Sequence, residues 1–300
     1  MVITLNIDKE ELKILIKEVI EEERKKDSSL QLSGELTKEE IYNSLFMQVD
    51  TNIKLSSVIL SNVNKDKIRQ FVLELNNRDR LAKFDLKPMN RLLFYGDSGC
   101  GKTFLGKALS NHLNYKMLYV DIARALSQGN VAMNISNVFE IAHSGPNYEI
   151  FLDECDSIAW NRDAKNAEGG EIRRATNSLF QHMDQMRSDT IVICATNMLH
   201  RLDPAFERRF NMKLEFKRPE EQVKEIIKKF LKPKFELIED KQDPITERRA
   251  KMSYYELEDV ANRVMKQAVL NNTTKIKMSD VYIDVARQMN VKTVLNVDMG

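Results

Sequence analysis

Residues 91–113 read RLLFYGDSGCGKTFLGKALSNHL. An apolar run with the length of a buried strand is followed by a glycine-punctuated turn and then by helical periodicity. The turn, Gly96-Asp97-Ser98-Gly99-Cys100-Gly101-Lys102-Thr103, fits the pattern GxxxxGK[ST], which carries meaning only between a strand and a helix. Its glycines let the backbone wrap closely enough for N–H groups to point at β- and γ-phosphates, assisted by the positive end of the helix that Phe104 continues. Lys102 brings a point charge, and Thr103 brings a hydroxyl suited to Mg²⁺. The candidate nucleotide-contacting set is therefore Gly96 through Phe104.

Three more apolar runs lie downstream, Lys116–Val120, Ile150–Leu152 and Thr190–Ala195, separated by helical segments. Strands alternating with helices predict an α/β fold with a parallel sheet covered on both faces. From Pro219 onward the periodicity is helical (EEQVKEIIKKFL, SYYELEDVANRVMKQAVL, MSDVYIDVARQM), interrupted by a linker over Pro233–Pro244. This reads as a small all-helical lid domain. Upstream, apolar residues recur at helical spacing between Asp8 and Lys26, a polar linker follows, and Thr37 with Glu40 caps a second helix. The expected organisation is a helical N-terminal module over 1–51, an α/β core over 52–218 and a lid over 219–300.

The 300 residues include 42% hydrophobic and 30% charged residues, enough for a buried core and too apolar for a disordered chain. A formal charge of +1 leaves no global field to hold a polyanion or an anionic membrane, so any anion must be held locally. No apolar run approaches the ~20 residues of a membrane span. The opening MVITLNIDKEELKILIKEVIEEERKK mixes acids with bases and does not resemble an export signal, which predicts a cytoplasmic protein. The cysteines Cys100, Cys155 and Cys194 lack CxxC spacing, and the histidines form no HExxH pair, so neither a disulfide framework nor a zinc site is expected. Cys100 lies where loop N–H groups and Lys102 could lower a thiol pKa and open it to oxidation, but an inert thiol is the favoured reading.

Three further features carry candidate chemistry. Ile150-Phe-Leu-Asp153-Glu154 is an apolar strand ending in two carboxylates; the first suits Mg²⁺ and the second can polarise an attacking water. TIVICAT ends at Asn197, whose amide could meet both a γ-phosphate oxygen and that water. Leu202-Asp-Pro-Ala-Phe-Glu-Arg208-Arg209-Phe places two arginines after a helical turn, and a guanidinium stabilises transferring-phosphoryl charge, in some enzymes across a subunit boundary. Taken singly, each has an ordinary reading: an acidic strand end, a turn-forming Asn, a solvated Arg pair.

In this order and spacing, the residues from about Val58 to Met289 resemble the AAA+ ATPases, specifically the protein-remodelling AAA branch. The run ALSQGNVAMNISNVFEIAHSGPNYEIFLDECDSIAWNRD is similar to that family's stretch through the acidic strand, and IRRATNSLFQHMDQM to the helix that follows. TIVICATNMLHRLDPAFERRF resembles the family's second region of homology. The resemblance implies a P-loop ATPase core with a helical lid, ATP and Mg²⁺ as ligands, and a ring, usually a homohexamer, with ATP between subunits. It implies Lys102, Thr103, Asp153, catalytic Glu154 and sensor Asn197 in cis, and Arg208 and Arg209 acting in trans as arginine fingers, with adenine near Ser56–Ser61 and the lid.

Departures from the pattern bear on substrate handling. Aligning Gly129 and Phe139 puts Ser127 where threading members carry an aromatic residue, which leaves Met133 or the tract Ala164–Glu171 as substitutes. After Ser253, Tyr254 and Tyr255 stand where other branches place a sensor arginine, and Arg263 reads as a surface residue. Trp160 and Arg162 suit either a subunit contact or the core. The function expected is ATP-driven remodelling or disassembly of an unidentified protein partner. The alternative is a nucleic-acid-associated ATPase, a loader or a mobile-element or phage factor, which the near-neutral charge disfavours.

Overall fold

The computed structural model describes residues 51–127, 131–159, 168–219, 223–240 and 252–297. The expected N-terminal module therefore lies outside the described residues except for Thr51, as do Gly129, Trp160, Arg162 and residues 164–167.

The core begins with α1 (Asn62–Asn76), whose Ser61 hydroxyl accepts from the Asn64 N–H at 3.3 Å and so caps one of the helix's unpaired donors. A short helix, α2 (Arg78–Ala82), leads through the Pro88 turn into β1 (Arg91–Gly96), then α3 (Lys102–Leu113), β2 (Lys116–Asp121), α4 (Ile122–Ser127), α5 (Val131–His143) and β3 (Tyr148–Asp153). Next come α6 (Glu168–Asp184), β4 (Thr190–Thr196), α7 (Pro204–Glu207) and β5 (Met212–Phe216). All four expected strands form. The fifth, β5, is one that the apolar-run reading passes over, although its alternation Met-Lys-Leu-Glu-Phe is that of a half-buried edge strand.

The strands pair in parallel in the order β2-β3-β4-β1-β5. Every residue of central β4 is buried, which is why it reads as a continuous apolar run. On one face, Ile68 and Phe71 of α1 and Leu105 and Leu109 of α3 pack with Leu92, Phe94, Phe151 and Ile193. Residues of the opposite parity, Ile150, Leu152, Val192 and Cys194, are buried toward the face where α5 packs on β3. Because β4 intervenes between β1 and β3, the carboxyl ends of three adjacent strands meet at one edge, where the chain reverses direction across the sheet.

The lid follows as α8 (Val223–Phe230), β6 (Glu236–Ile238), α9 (Tyr254–Leu270), β7 (Lys275–Lys277) and α10 (Met278–Val297). It has its own core, in which Ile226, Ile227, Val260, Val264, Val281 and Val285 meet. Its helices match expectation, with one refinement: the lid is not purely helical. Residues of the expected linker pair in parallel with Lys275–Lys277 as a two-stranded ribbon. Arg263 bridges Asp259 on its own helix and Asp284 at 2.7 Å, so it ties α9 to α10 as a lid contact.

Candidate active site

The loop between β1 and α3 is shaped by two requirements of the backbone. Gly96 has φ +129°, and a Cβ there would stand 2.0 Å from the Phe216 carbonyl oxygen; the next N–H, of Asp97, donates to that same oxygen at 3.0 Å. Gly101 caps α3 with φ +95°, a left-handed conformation that L side chains rarely adopt. The edge strand β5 thus fixes where the loop leaves the sheet, and the first turn of α3 opens onto it.

Lys102 is buried at 8% exposure. Its Nζ donates to the carbonyl oxygens of Gly96 at 2.8 Å and Asp97 at 2.9 Å and to Asn197 Oδ1 at 2.6 Å. Burial pushes this ammonium below the usual lysine value, against the attraction of Asp153, Asp97 and Asp156. A charge so desolvated is stabilised further by any anion that enters the loop.

Thr103 Oγ1 donates to Asp153 Oδ2 at 3.0 Å, which joins the first turn of α3 to the tip of β3. The same carboxylate oxygen accepts from Tyr119 Oη at 2.9 Å, and Asp153 Oδ1 accepts from the Glu154 N–H at 3.0 Å. Glu154 adopts a left-handed conformation, φ +54°, and its side chain is exposed where the strand turns away. Partial desolvation raises the Glu154 carboxyl, and Asp121, Asp153 and Asp156 raise it further by like-charge repulsion. Asp156 in turn accepts from Thr196 Oγ1 at 2.6 Å, which holds the turn after Glu154 against β4 beside Asn197.

Of the sequence-derived set, Lys102, Thr103, Asp153, Glu154 and Asn197 come together at one sheet edge. The two arginines differ from each other. Arg208 is exposed, whereas the Arg209 guanidinium lies 3.8 Å from the centroid of the Phe180 ring and reaches Ala205 O at 3.3 Å and Asp184 Oδ2 at 3.4 Å.

Residues 92–218 match the family model described as "ATPase family associated with various cellular activities (AAA)". An uncharacterized AAA family ATPase, y4kL, of Sinorhizobium fredii is 32% identical over 229 residues, which cover 75% of this chain and 68% of that protein. The chain belongs to the AAA ATPase family. Among other relatives, proteasome-activating nucleotidase 1 of Haloferax volcanii is 30% identical over 211 residues, covering 67% of this chain and 52% of the relative. A protein of Methanothermobacter thermautotrophicus described as a 26S proteasome regulatory subunit homolog is 28% identical over 229 residues, covering 75% and 60%. The chain thus spans a half to three fifths of the length of these two archaeal AAA relatives.

The Cys100 thiol is buried, and burial with the nearby Asp97 pushes it up, outweighing the Lys102 charge and the backbone bond near Tyr254, in keeping with the structural reading of this cysteine. Arg209, which the resemblance assigns to a neighbouring subunit's site, also has aromatic and acidic partners in its own chain. The sites proposed for substrate contact are only partly described: Met133 is 64% exposed on the first turn of α5, while most of 164–171 lies outside the described residues.

Tyr119 and the lid contact were not legible. Tyr119 stands across from Phe151 in the β2–β3 register, two residues before Asp153, so its approach to that carboxylate depends on strand pairing. The Tyr255 N–H donates to the Gly99 carbonyl at 3.2 Å, and a Cβ on Gly99 would meet Ser253 Oγ at 2.8 Å. The capped start of α9 therefore sits directly on the phosphate-type loop of this AAA core. The signal available was the capping box Ser253–Glu256; its docking site was not. Among the described residues no helix is long and apolar enough to cross a membrane.

Proposed function

We propose that this AAA ATPase binds MgATP between copies of itself and uses hydrolysis to remodel a protein partner. The observation that carries this reading is the convergence of Lys102, Asn197, Thr103, Asp153 and Glu154 at one sheet edge, with Lys102 bonded to Asn197 and Thr103 to Asp153. The archaeal relatives named as a proteasome-activating nucleotidase and a proteasome regulatory subunit homolog support a protein as the object of the work.

Each residue has a distinct task in this scheme. Loop N–H groups and Lys102 take the β- and γ-phosphates, with Lys102 exchanging its loop carbonyls for phosphate oxygens. The donor set also fits a hard cation: a threonine hydroxyl and a carboxylate lie together beside a cluster of acids whose mutual repulsion, seen at Glu154, a divalent charge relieves. Thr103 and Asp153 would hold Mg²⁺, which would neutralise the negative charge that develops on the phosphates. Glu154 orients the attacking water and accepts its proton, a task for which a raised carboxyl is better matched than an ordinary one. Asn197 positions the water against the γ-phosphate, and an arginine from a neighbouring copy stabilises the charge that develops there.

The test pairs hydrolysis with assembly. Glu154→Gln is expected to bind ATP, form an oligomer by analytical ultracentrifugation and release phosphate at under about a hundredth of the wild-type rate. Full-rate hydrolysis by this variant, or by a strictly monomeric wild-type protein, contradicts the scheme. Affinity capture on the ATP-bound Glu154→Gln oligomer is then the route to the partner.

A further inference from the structure

Resting on the trans-arginine reading above, we infer that the two adjacent arginines divide the labour: Arg208 is the one that crosses to the neighbouring nucleotide, and Arg209 is a positioning residue clamped within its own subunit. The division follows from what each neighbour of Arg208 touches. On the amino side, Glu207 is held by Lys213 of β5 at 2.8 Å. On the carboxyl side, Arg209 lies over the Phe180 ring and reaches Asp184; both residues belong to α6 and are one helical turn apart, so they present a single aromatic–acidic notch. Phe180 packs in turn on Phe206 of α7, and Phe206 on Phe210, with ring centroids 5.8 Å and 5.1 Å apart. Phe206 is fully buried and Phe180 and Phe210 nearly so. Arg209 is thus the polar lid of an aromatic cluster that fixes α7 against α6.

A guanidinium stacked on a ring while paired with a carboxylate and a carbonyl gives up several contacts if it is to reach a phosphate elsewhere. Arg208 gives up none of these. It sits between two anchored residues, is exposed, and its guanidinium forms no ion pair among the described residues. The start of α7 is secured as well: Asp203 accepts from the Ala205 N–H at 2.7 Å, and its own N–H donates to Ala159 O at 2.9 Å, on the chain just beyond Glu154. The backbone that presents Arg208 outward is therefore pinned both to α6 and to the segment carrying the hydrolytic carboxylate. A long, flexible side chain borne on so fixed a base loses less conformational freedom when it docks.

The experiment compares the two positions in the full-length oligomer. Arg208→Ala and Arg208→Lys are expected to keep ATP affinity within about twofold and the unfolding temperature unchanged, and to lose at least about a thousandfold in kcat. Mixing Arg208→Ala with Lys102→Ala subunits, each inactive alone, should restore hydrolysis, because the intact nucleotide site of one then faces the intact arginine of the other. Arg209→Ala should lower the unfolding temperature and reduce kcat by no more than about a hundredfold, the scale of a misplaced catalytic group. Phe180→Leu with Asp184→Asn should reproduce both effects, and adding Arg209→Ala to that pair should change little further. The division is overturned if Arg209→Ala matches the kcat loss of Arg208→Ala at an unchanged unfolding temperature, or if the Phe180/Asp184 variant leaves kcat and unfolding untouched. It is also overturned if Arg208→Ala hydrolyses normally while Lys102→Ala is dead, an outcome that spares the ATPase reading. Normal turnover by Lys102→Ala would instead remove the ATPase reading itself.

Discussion

The Lys102 ammonium lies 2.6 Å from the Asn197 side-chain oxygen, which ties the helix after β1 to the tip of the neighbouring strand β4. Asn197 is thus set by the same lysine that the scheme assigns to the γ-phosphate. Lys102→Ala should abolish ATP binding, because the loop then lacks its buried charge. Asn197→Ala should keep ATP affinity within a few-fold and lower kcat by about 10²–10³, the scale of one lost transition-state donor. Equilibrium titration with a fluorescent ATP analogue and single-turnover phosphate release separate the two outcomes.

The contact between Gly99 and the start of α9 makes a second prediction. Gly99 has φ +70°, and an added methyl would press on Ser253 Oγ, whose capping bond to the Glu256 N–H starts the lid helix. Gly99→Ala should destabilise the protein by about 1–3 kcal/mol and weaken ATP binding, through backbone strain and displacement of the lid. Ser253→Ala should cost about 1 kcal/mol, mostly as a lost cap. Thermal unfolding with and without ATP reads both; equal stabilisation of Gly99→Ala and wild type by ATP would show that the loop tolerates the displacement.

Glu149 gives a pH-dependent prediction about stability. It is completely buried on β3, both of its carboxyl oxygens lack a hydrogen-bond partner among the described residues, and burial raises its carboxyl well above the ordinary range. For an acid raised on folding, the native state is fully favoured below the unfolded carboxyl's pKa. Stability falls as pH rises past that value toward the folded one. Glu149→Gln should therefore stabilise the protein by about 1–3 kcal/mol near neutrality, with the gain shrinking toward acid pH. Urea unfolding of both proteins across pH measures it; a gain that does not depend on pH would place the cause elsewhere.

The acids around Glu154 also set the pH dependence of turnover. Protonation of a raised Glu154 removes the base, so kcat/KM, which reports the metal-free and nucleotide-free enzyme, should fall on the acid side at a higher pH than an ordinary carboxylate would dictate. Asp121→Asn removes one repelling charge and should move that limb to lower pH. A kcat/KM–pH profile tests the shift, and an unmoved limb would separate Asp121 from the base.

Much of the core was legible. Apolar runs gave β1, β3 and β4 because an interior strand covered on both faces needs no alternation, and gave the edge strand β2 because its half-buried positions are apolar as well; β5, at the other edge, carried an alternating signal instead. Lys102, Thr103, Asp153, Glu154 and Asn197 were legible because each lies within or directly after a regular element, in a pattern tied to one ligand chemistry. The ribbon within the lid was not, since each of its strands is only three residues long and has no periodicity to read.

Sequence by itself determined the phosphate-type loop, the acidic strand end and the kind of layered sheet that carries them, because these depend on residue type at short, fixed spacing. Only the tertiary structure decided which of these groups touch. Strand order brought Asn197 beside Lys102 and Tyr119 beside Asp153, and lid docking placed Ser253 on Gly99. The notch on α6 distinguished Arg209 from Arg208, two residues that the chain writes identically. Such contacts join positions far apart in the chain, and their energies depend on burial and geometry that no local pattern encodes.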